Sequence, residues 1–268
     1  MTEIVLLGAE VQAATSLAAA YPLRRFLFVS DAPVLDGWDL PNVRFRRAGP
    51  SDWRAAPADI AVCPRWIAED GRRSLSALME RIAARLPDAV LPVRPEAGRD
   101  GRWVGKGDRW HRPDAPLAGT ASDLAAAEAP PGCGLVFQPF VEASARVMAI
   151  GRRAAGGALA IGLFHVHEER FFRDAIVQAA ETIDAPDLVD LSAEALDAAD
   201  LAGHFTLNWL MTEGGWRLSS VRPVLRGVCS AFRRADIDLL QEPVDAAIVA
   251  PGLKFVSRPA YASYGTPA

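Results

Sequence analysis

The stretch that decides the fold is GHFTLNWLMTEGGWRLSSVRPVLRG, residues 203–227. Two apolar runs flank the pair Gly214-Gly215, and a glycine pair between strand-like runs is typical of a β-hairpin turn. The second run leads into Arg222-Pro223. The stretch therefore predicts two antiparallel strands joined by a tight turn.

This hairpin resembles the metal-binding hairpin of the ATP-grasp enzymes. In that family the first strand carries an acid, the second a Glu, and an Asn follows two residues later, just before a Pro. Here the three positions hold Asn208, Ser220 and Arg222, and the separation of 12 residues between the first two matches the family. Mg²⁺ is held in proteins by carboxylates and phosphate oxygens. The resemblance therefore implies the fold, and the three changes make Mg²⁺ binding in the family manner improbable.

A second motif, LVFQPFVEASARVMAIG at residues 135–151, resembles the hinge of the glutathione-synthetase-like and ribosomal-protein-modifying branches. Four residues match that hinge: Gln138, Phe140, Val141 and Arg146. The resemblance implies that Gln138 to Val141 hold adenine, that Glu142 touches the ribose, and that Arg146 contacts phosphate or a substrate carboxylate through its planar fork of donors. Pro139 replaces the usual acidic residue and removes one N–H. The alternative is two buried strands with no ligand.

A third motif, RWVGKGDRW at residues 102–110, resembles the family strand whose lysine reaches the nucleotide phosphates. Lys106 takes that place, where its ammonium would act as a point charge. The following loop, residues 108–119, is bulkier than the glycine-rich flap of the family. The alternative is a surface lysine on an edge strand, although only Lys106 and Lys254 among the 29 basic residues are lysines.

Composition narrows the class of protein. Half of the 268 residues are hydrophobic and the net charge is −4, so a large core is available and no overall basic field favours nucleic acid. The sequence has no apolar run of about 20 residues and no basic segment ahead of the first strand, so we expect neither a membrane span nor a signal peptide. Three cysteines without a CxxC pair indicate buried thiols in a reduced cytoplasm and no zinc site: Cys63, Cys133 and Cys229.

Residues 1–93 are predicted to form a small parallel α/β unit that resembles the pre-ATP-grasp domain. Apolar runs alternate with helical patterns, and the turn at Gly8-Ala9-Glu10 is not the GxGxxG of dinucleotide-binding folds. The predicted strands are Glu3–Gly8, Arg25–Ser30, Val43–Phe45 and Asp59–Cys63, followed by a helix at Arg73–Leu86. A linker rich in Pro and Arg is expected at residues 91–101.

Residues 94–268 are predicted to form an α+β unit similar to the ATP-grasp domain. Its lysine strand and flap occupy 101–134, and its hinge and hairpin occupy 135–268. The remaining predicted strands and helices are strands at 103–105, 135–140, 146–150 and 159–167, and helices at 171–182 and 193–202, with a solvated helix start at Arg233-Arg234.

The four histidines leave alternatives open. His165 and His167 share a face if their segment is a strand, so a metal site with Glu168 or Glu169 is one interpretation and a solvated strand end is the other. His111 and His204 could line the cleft or lie on the surface. The sequence contains no GxSxG or HExxH motif.

Three functions follow from these motifs. The first is a divergent ATP-grasp protein that binds a nucleotide or another anion in the interdomain cleft without standard Mg-ATP turnover. The second is an ATP-dependent carboxylate–amine ligase working through an acyl phosphate, with Lys106, Arg146 and Arg222 as its catalytic residues and metal ligands such as Glu213 or Asp236. The third is an interaction module. A homodimer through Trp103 and Trp110, or a biosynthetic partner protein, is also expected, in the cytoplasm.

Overall fold

A four-stranded parallel sheet opens the chain. The computed structural model describes residues 3–7, 18–30, 41–47, 60–61, 74–108, 117–125, 134–172, 175–223, 229–240 and 244–257. The strand order is β3-β2-β1-β4, and every described pairing in this sheet is parallel. The strands are β1 (Glu3–Leu7), β2 (Arg25–Ser30), β3 (Val43–Arg47) and β4 (Ile60–Ala61). The predicted parallel α/β unit is confirmed.

A small antiparallel sheet follows, in the order β6-β5-β7. Its strands are β5 (Trp103–Gly107), β6 (Leu117–Gly119) and β7 (Leu135–Pro139), and the short helix α2 (Ala121–Leu124) follows β6. Lys106 pairs with Val136 and Val104 pairs with Gln138. Because side chains two residues apart on a strand share a face, Lys106 and Gln138 lie on the same face of this sheet.

The largest sheet has the order β12-β11-β8-β9-β10-β14, with β13 added beside β9. Its antiparallel core brings the predicted hairpin next to the strand that follows the hinge. The strands are β8 (Ala145–Arg153), β9 (Leu159–Phe172), β10 (Ala175–Thr182), β11 (Gly203–Thr212), β12 (Gly215–Arg222), β13 (Ala247–Ile248) and β14 (Lys254–Ser257).

Strand β8 contributes to two separate cores because its successive side chains point to opposite faces of the sheet. Met148 and Ile150 pack in a cluster that includes Phe26 and Phe28 of the first sheet. Val147 and Ala149 pack in a second cluster with helices α1 (Leu75–Arg85) and α3 (Pro186–Ala198). One face of the large sheet thus contributes to a core shared with the first sheet, and the other face packs with helices.

Tyr21 joins the first sheet to the rest of the chain. Its hydroxyl accepts a hydrogen bond from the Leu239 N–H at 3.0 Å, and the Arg233 guanidinium lies 5.2 Å from the centre of its ring. Arg24 forms an ion pair with Asp238 at 3.7 Å. Buried Tyr21 therefore connects the first sheet to residues 233–239, which follow strand β12 in the chain.

The first turn of helix α1 lies in space beside the carboxyl end of strand β5, although the helix comes earlier in the chain. The Ser74 side chain accepts from the Ala77 N–H at 3.2 Å, which satisfies one of the free donors of the first turn. Asp108 accepts from the Leu75 and Ser76 N–H groups, through its carbonyl at 2.8 Å and its carboxylate at 2.7 Å. The predicted helix at 73–86 is confirmed to within two residues, and its start is anchored beside Lys106.

Three sequence-based assignments need correction. The predicted helix at 171–182 is wrong: residues up to Phe172 continue β9 and Ala175–Thr182 form β10, since antiparallel pairing to β9 overrides the helical propensity of an Ala-rich segment. The helix predicted at 193–202 begins earlier, at Pro186, where proline suits a first helical turn. Arg233 and Arg234 end helix α4 (Cys229–Arg234) rather than start one.

Several predicted features lie outside the described residues: the turn at 8–10, the part of the flap at 109–116, Trp110, His111, Cys63 and Cys133. The Cys229 side chain is not described either. Within the described ranges, no helix combines the length and the apolar character that a bilayer crossing needs.

Candidate functional site

The hairpin of β11 and β12 contains a bulge at the predicted site. Asn208 pairs with Ser220 and Trp209 pairs with Leu218, so Ser219 is an extra residue on β12. The Ser219 carbonyl accepts a hydrogen bond from Lys106 Nζ at 2.7 Å. Its hydroxyl donates to the Asn208 carbonyl at 3.1 Å. The bulge thus connects the lysine strand of the small sheet to the hairpin of the large sheet.

Three cationic side chains meet beside this bulge. Arg222 follows Ser220 by two residues, and its Nη2 donates to the Gly107 carbonyl at 3.3 Å. Arg146 on β8 pairs with Leu210 on β11, which places it on the same face as Asn208. The pKa of the Lys106 amine is lowered from 10.5 to about 7, first by burial and then by the positive charges of Arg222 and Arg146. We call Lys106, Arg146 and Arg222 the cation cluster.

A buried amide and hydroxyl lie next to the cation cluster. Asn208 Nδ2 donates to Ser220 Oγ at 2.7 Å, and both residues are buried. Among the described residues, Asn208 Oδ1 has no hydrogen-bond partner. Buried polar atoms are nearly always hydrogen-bonded in folded proteins, so this oxygen marks a place where a ligand or water would belong.

The hinge residues are placed along and beyond β7. Gln138 is buried, its Nε2 donates to the Leu91 carbonyl at 3.2 Å, and its Oε1 has no donor among the described residues. The Phe140 N–H donates to the Arg102 carbonyl at 2.8 Å, and the Arg102 guanidinium lies 4.7 Å from the centre of its exposed ring. Val141 is half-buried and Glu142 is exposed. Gln138 therefore lies on the same face of the small sheet as the cation cluster. The backbone N–H of Phe140 is already hydrogen-bonded to Arg102.

His204 belongs to the core. It is buried, and its Nε2 donates to the Leu239 carbonyl at 3.1 Å. Burial and the nearby charge of Arg152 lower its pKa from 6.5 to about 4, against the opposite effect of the Leu239 hydrogen bond. The ring is therefore neutral near pH 7 and has a structural role.

His165 and His167 do lie on one face of a strand, since their rings are 4.5 Å apart. His167 approaches Glu181 at 3.7 Å and is about half exposed. The described part of the chain shows no group of three His, Cys, Asp or Glu side chains arranged for a metal ion. Both histidines lie within β9, which continues to Phe172, so neither marks a strand end. The side chains of Glu168 and Glu169, which the metal interpretation needs, lie outside the described part of the chain.

A cavity of about 360 Å³ lies on the opposite face of the small sheet. Phe137, which lines it, pairs with Gly105, whereas Lys106 pairs with Val136. The other described lining residues are mostly apolar and include no Lys or Arg: Pro95, Glu96, Ala97, Ala121, Leu124, Ala125 and Leu135. The cavity is therefore separate from the cation cluster.

Solved structures share this architecture over most of the chain. An L-amino acid ligase from Bacillus licheniformis aligns with a TM-score of 0.60 at 12% identity, covering 90% of this chain and 72% of that enzyme. N5-carboxyaminoimidazole ribonucleotide synthetase from Thermus thermophilus aligns with a TM-score of 0.60 at 15% identity, over 94% and 81% of the two chains. The N5-carboxyaminoimidazole synthetase of Staphylococcus aureus, complexed with ADP, aligns with a TM-score of 0.61 at 9% identity, over 93% and 80%.

The chain has the ATP-grasp fold. No protein-family model and no curated protein sequence matches it. At identities of 9% to 15% the structural likeness establishes the fold and not the activity.

Within this ATP-grasp fold, sequence reasoning missed two residues that organise the site. Ser219 supplies the carbonyl that holds Lys106, and Asp108 anchors helix α1 at the end of the lysine strand. The signal for Ser219 was the pair Ser219-Ser220, which interrupts the alternation of buried and exposed positions expected of a strand. No sequence signal distinguishes Asp108 from an ordinary loop carboxylate.

The lowered pKa of Lys106 predicts a pH-dependent stability. The unfolded chain holds the Lys106 proton up to about pH 10.5, whereas the folded chain releases it near pH 7. Between these values the unfolded state binds more protons, so the free energy of unfolding should rise with pH. We expect a slope of about 0.7 kcal/mol per pH unit at pH 7, where half of the folded molecules have lost the proton, rising toward about 1.4 at higher pH.

Urea unfolding at pH 7, 8 and 9 measures this slope. Lys106→Met should lack it, while Lys254→Met, which changes the exposed lysine, should keep it. If the free energy of unfolding rises equally with pH in Lys106→Met and in the unchanged protein, the pH dependence does not come from a lowered pKa of Lys106.

Proposed function

We propose that this protein binds a nucleotide or another phosphate-bearing anion between its small and large sheets without the metal-dependent turnover of the ATP-grasp ligases. The observation that carries the proposal is the cation cluster, in which Lys106 lies near Arg146 and near Arg222, one of the three positions that the resemblance assigns to metal ligands. Lysine and arginine side chains are the usual partners of phosphate oxygens. The positive charges of Arg222 and Arg146 help to lower the pKa of the Lys106 amine, and a bound anion would relieve that repulsion.

The donor set argues against Mg²⁺ at the hairpin. Mg²⁺ needs carboxylate and phosphate oxygens in near-octahedral geometry. Here Asn208 offers one neutral oxygen, the Ser220 hydroxyl already accepts from Asn208, and Arg222 is a cation. The cationic side chains could neutralise phosphate charge in place of a metal, but they cannot position two metals for phosphoryl transfer.

The hinge would hold the base of a nucleotide. Gln138 shares a face with Lys106 and has an unpaired carbonyl oxygen among the described residues, which suits the amino group of adenine. Because Pro139 has no N–H and the Phe140 N–H is bonded to Arg102, Val141 is the next hinge residue with an amide to donate. Phe140 and Glu142 would contact the base and the ribose at the open side.

The alternative function is an active ATP-dependent carboxylate–amine ligase that adds an amino acid, such as glutamate, to a small molecule or coenzyme. It is favoured by the similarity to an L-amino acid ligase. Lys106, Arg146 and Arg222 would then hold phosphates, and a metal would need other ligands. Glu213 lies in the hairpin turn, about 16 Å along the strand from Asn208 at roughly 3.3 Å per residue, which makes it a poor substitute.

Other features of the protein stay proposals. We place the domain boundary between residues 93 and 94, although helix α1, before it, packs in the cluster with α3. A homodimer through Trp103 loses its basis because that side chain is buried, with Arg94 over its ring at 5.5 Å. A biosynthetic partner protein and a cytoplasmic location are consistent with the fold.

Calorimetric titration with ATP and ADP, each with and without Mg²⁺, tests the proposed function. We expect binding that does not require Mg²⁺ and that weakens at least about tenfold in Lys106→Ala, since one charge-assisted contact contributes about 1.5–3 kcal/mol. Lys254→Ala is the matched control, because it removes the other lysine, which is 81% exposed.

The other outcomes separate the alternatives. Binding that requires Mg²⁺ would contradict the proposal and support the ligase, and a screen for ADP release with acids and amines would follow. Absence of binding under every condition, with no effect of Lys106→Ala or Arg146→Ala, would indicate an interaction module.

A further inference from the structure

Within the described ranges, the Asn208–Ser220 pair contains an acceptor and a donor for which no partner is found. Asn208 Nδ2 donates to Ser220 Oγ at 2.7 Å, so the Ser220 hydroxyl keeps its own hydrogen for another acceptor. Asn208 Oδ1 is buried and has no donor among the described residues. A ligand that satisfies this pair must therefore accept one hydrogen bond and donate another.

The pair lies within the cation cluster. Ser220 and Arg222 are two residues apart on β12, and Asn208 pairs with Ser220 across the hairpin. Arg146 lies on the same face, opposite Leu210, and Lys106 reaches the bulge from the small sheet. A ligand that suits the site is consequently an anion that also carries a hydrogen-bond donor, as does an oxyanion with a proton on one oxygen.

We propose that the cluster selects a tetrahedral oxyanion that is still protonated, such as hydrogen phosphate or a singly protonated phosphate monoester. Its O–H donates to Asn208 Oδ1, and its ionised oxygens accept from Ser220 and the three cationic side chains. This inference rests on the proposed anion binding and adds to it the proton as the feature that the site recognises.

Sulfate is the comparison that isolates this feature. At pH 7 phosphate keeps at least one proton, whereas sulfate, of nearly the same size and shape, has none. In the site a sulfate oxygen would face Asn208 Oδ1. Both oxygens are acceptors, and no hydrogen would lie between them. A site built to hydrogen-bond a ligand rejects an analogue that lacks the donor, because its own buried group is left unpaired.

Calorimetric titration of the full chain with inorganic phosphate and with sulfate, at pH 7, equal ionic strength and without Mg²⁺, tests the inference. We expect phosphate to bind about 10- to 100-fold more tightly than sulfate, the ratio that one charge-assisted hydrogen bond provides. Because both anions are measured at one pH, the protonation of Lys106 affects them alike.

Asn208→Leu removes the acceptor and should reduce the ratio to about one by weakening phosphate binding alone. Thr212→Val, a polar-to-apolar change further along β11 and outside the cluster, should keep the full ratio. If Asn208→Leu does not fold, comparing the affinities for phosphate and sulfate in the unchanged protein still tests whether the site selects a protonated anion.

Equal affinities for phosphate and sulfate would overturn this inference and leave the proposed anion binding intact. They would indicate that the Asn208 amide has the opposite orientation, with Nδ2 toward the anion. Tighter binding of sulfate would overturn it too. If neither anion binds, both this inference and the proposed function are contradicted. Equal affinities or tighter sulfate binding contradict this inference alone.

Discussion

Combining Asn208→Asp, Ser220→Glu and Arg222→Asn is expected to create a Mg²⁺ dependence of ADP binding, which we propose that the natural chain lacks. The three changes restore the residues that the family resemblance assigns to the hairpin and make the local charge more negative by three. The first two positions pair directly across β11 and β12, so their carboxylates would face one ion. We expect Mg²⁺ to strengthen ADP binding by about 10- to 100-fold, a coupling of roughly 1.4–2.7 kcal/mol.

The measurement is ADP titration with and without Mg²⁺ in the triple variant, in the natural chain and in Arg222→Lys. Arg222→Lys keeps the cation and should stay independent of Mg²⁺. Thermal unfolding establishes that each variant is folded. A folded triple variant that binds ADP equally with and without Mg²⁺ would show that the hairpin residues do not account for the metal preference.

Replacing Trp209 by Ala is expected to remove about 3–5 kcal/mol from the free energy of unfolding, as large-to-small changes of buried aromatic residues do. Trp209 has no exposed surface and packs in the cluster beneath helices α1 and α3. Its Nε1 donates to Ser192 Oγ at 3.0 Å, and that hydroxyl donates to the Leu188 carbonyl at 2.6 Å. Since domains are stable by only about 5–15 kcal/mol, the loss would be a large part of the total.

Two further variants serve as comparisons for the loss of unfolding free energy in Trp209→Ala. Trp209→Phe keeps most of the ring and loses the hydrogen bond, so its cost in urea unfolding should be about 1–2 kcal/mol. Trp216→Ala, at a half-buried position on β12, should also cost less than Trp209→Ala. Equal costs for Trp209→Ala and Trp216→Ala would mean that the buried core on this face contributes less than its burial implies.

The fold was predictable because the informative residues are local in sequence. The glycine pair between two apolar runs predicted the hairpin, and the alternation of strands and helices predicted the parallel sheet; both are confirmed. The segment at 171–182 was mispredicted as a helix because its alanines favour a helix in isolation. Its strand conformation depends on pairing with β9, which local sequence does not show.

The candidate site was less predictable, for a different physical reason. Residue types at family positions predicted Lys106, Arg146 and Arg222 as a group, and their role in binding stays a prediction. The carbonyl of Ser219 could not be found in this way, because any residue has a carbonyl and only the bulge directs this one to Lys106. The side-chain oxygens of Gln138 and Asn208 have no partner in the part of the chain that the structure describes, and this too depends on the fold rather than on residue type.

Strand β8 packs on both of its faces, and this limits which fragments of the protein can be expressed separately. Met148 and Ile150, with Phe164 from the neighbouring strand, are covered on their side by a cluster that includes Phe26 and Phe28 from the start of the chain. A gene fragment that begins after the first sheet would expose this apolar surface to water, and the product would tend to aggregate. The residues proposed to bind the ligand all lie beyond residue 100, but we expect that this part of the chain cannot be expressed alone or transferred to another protein as a module.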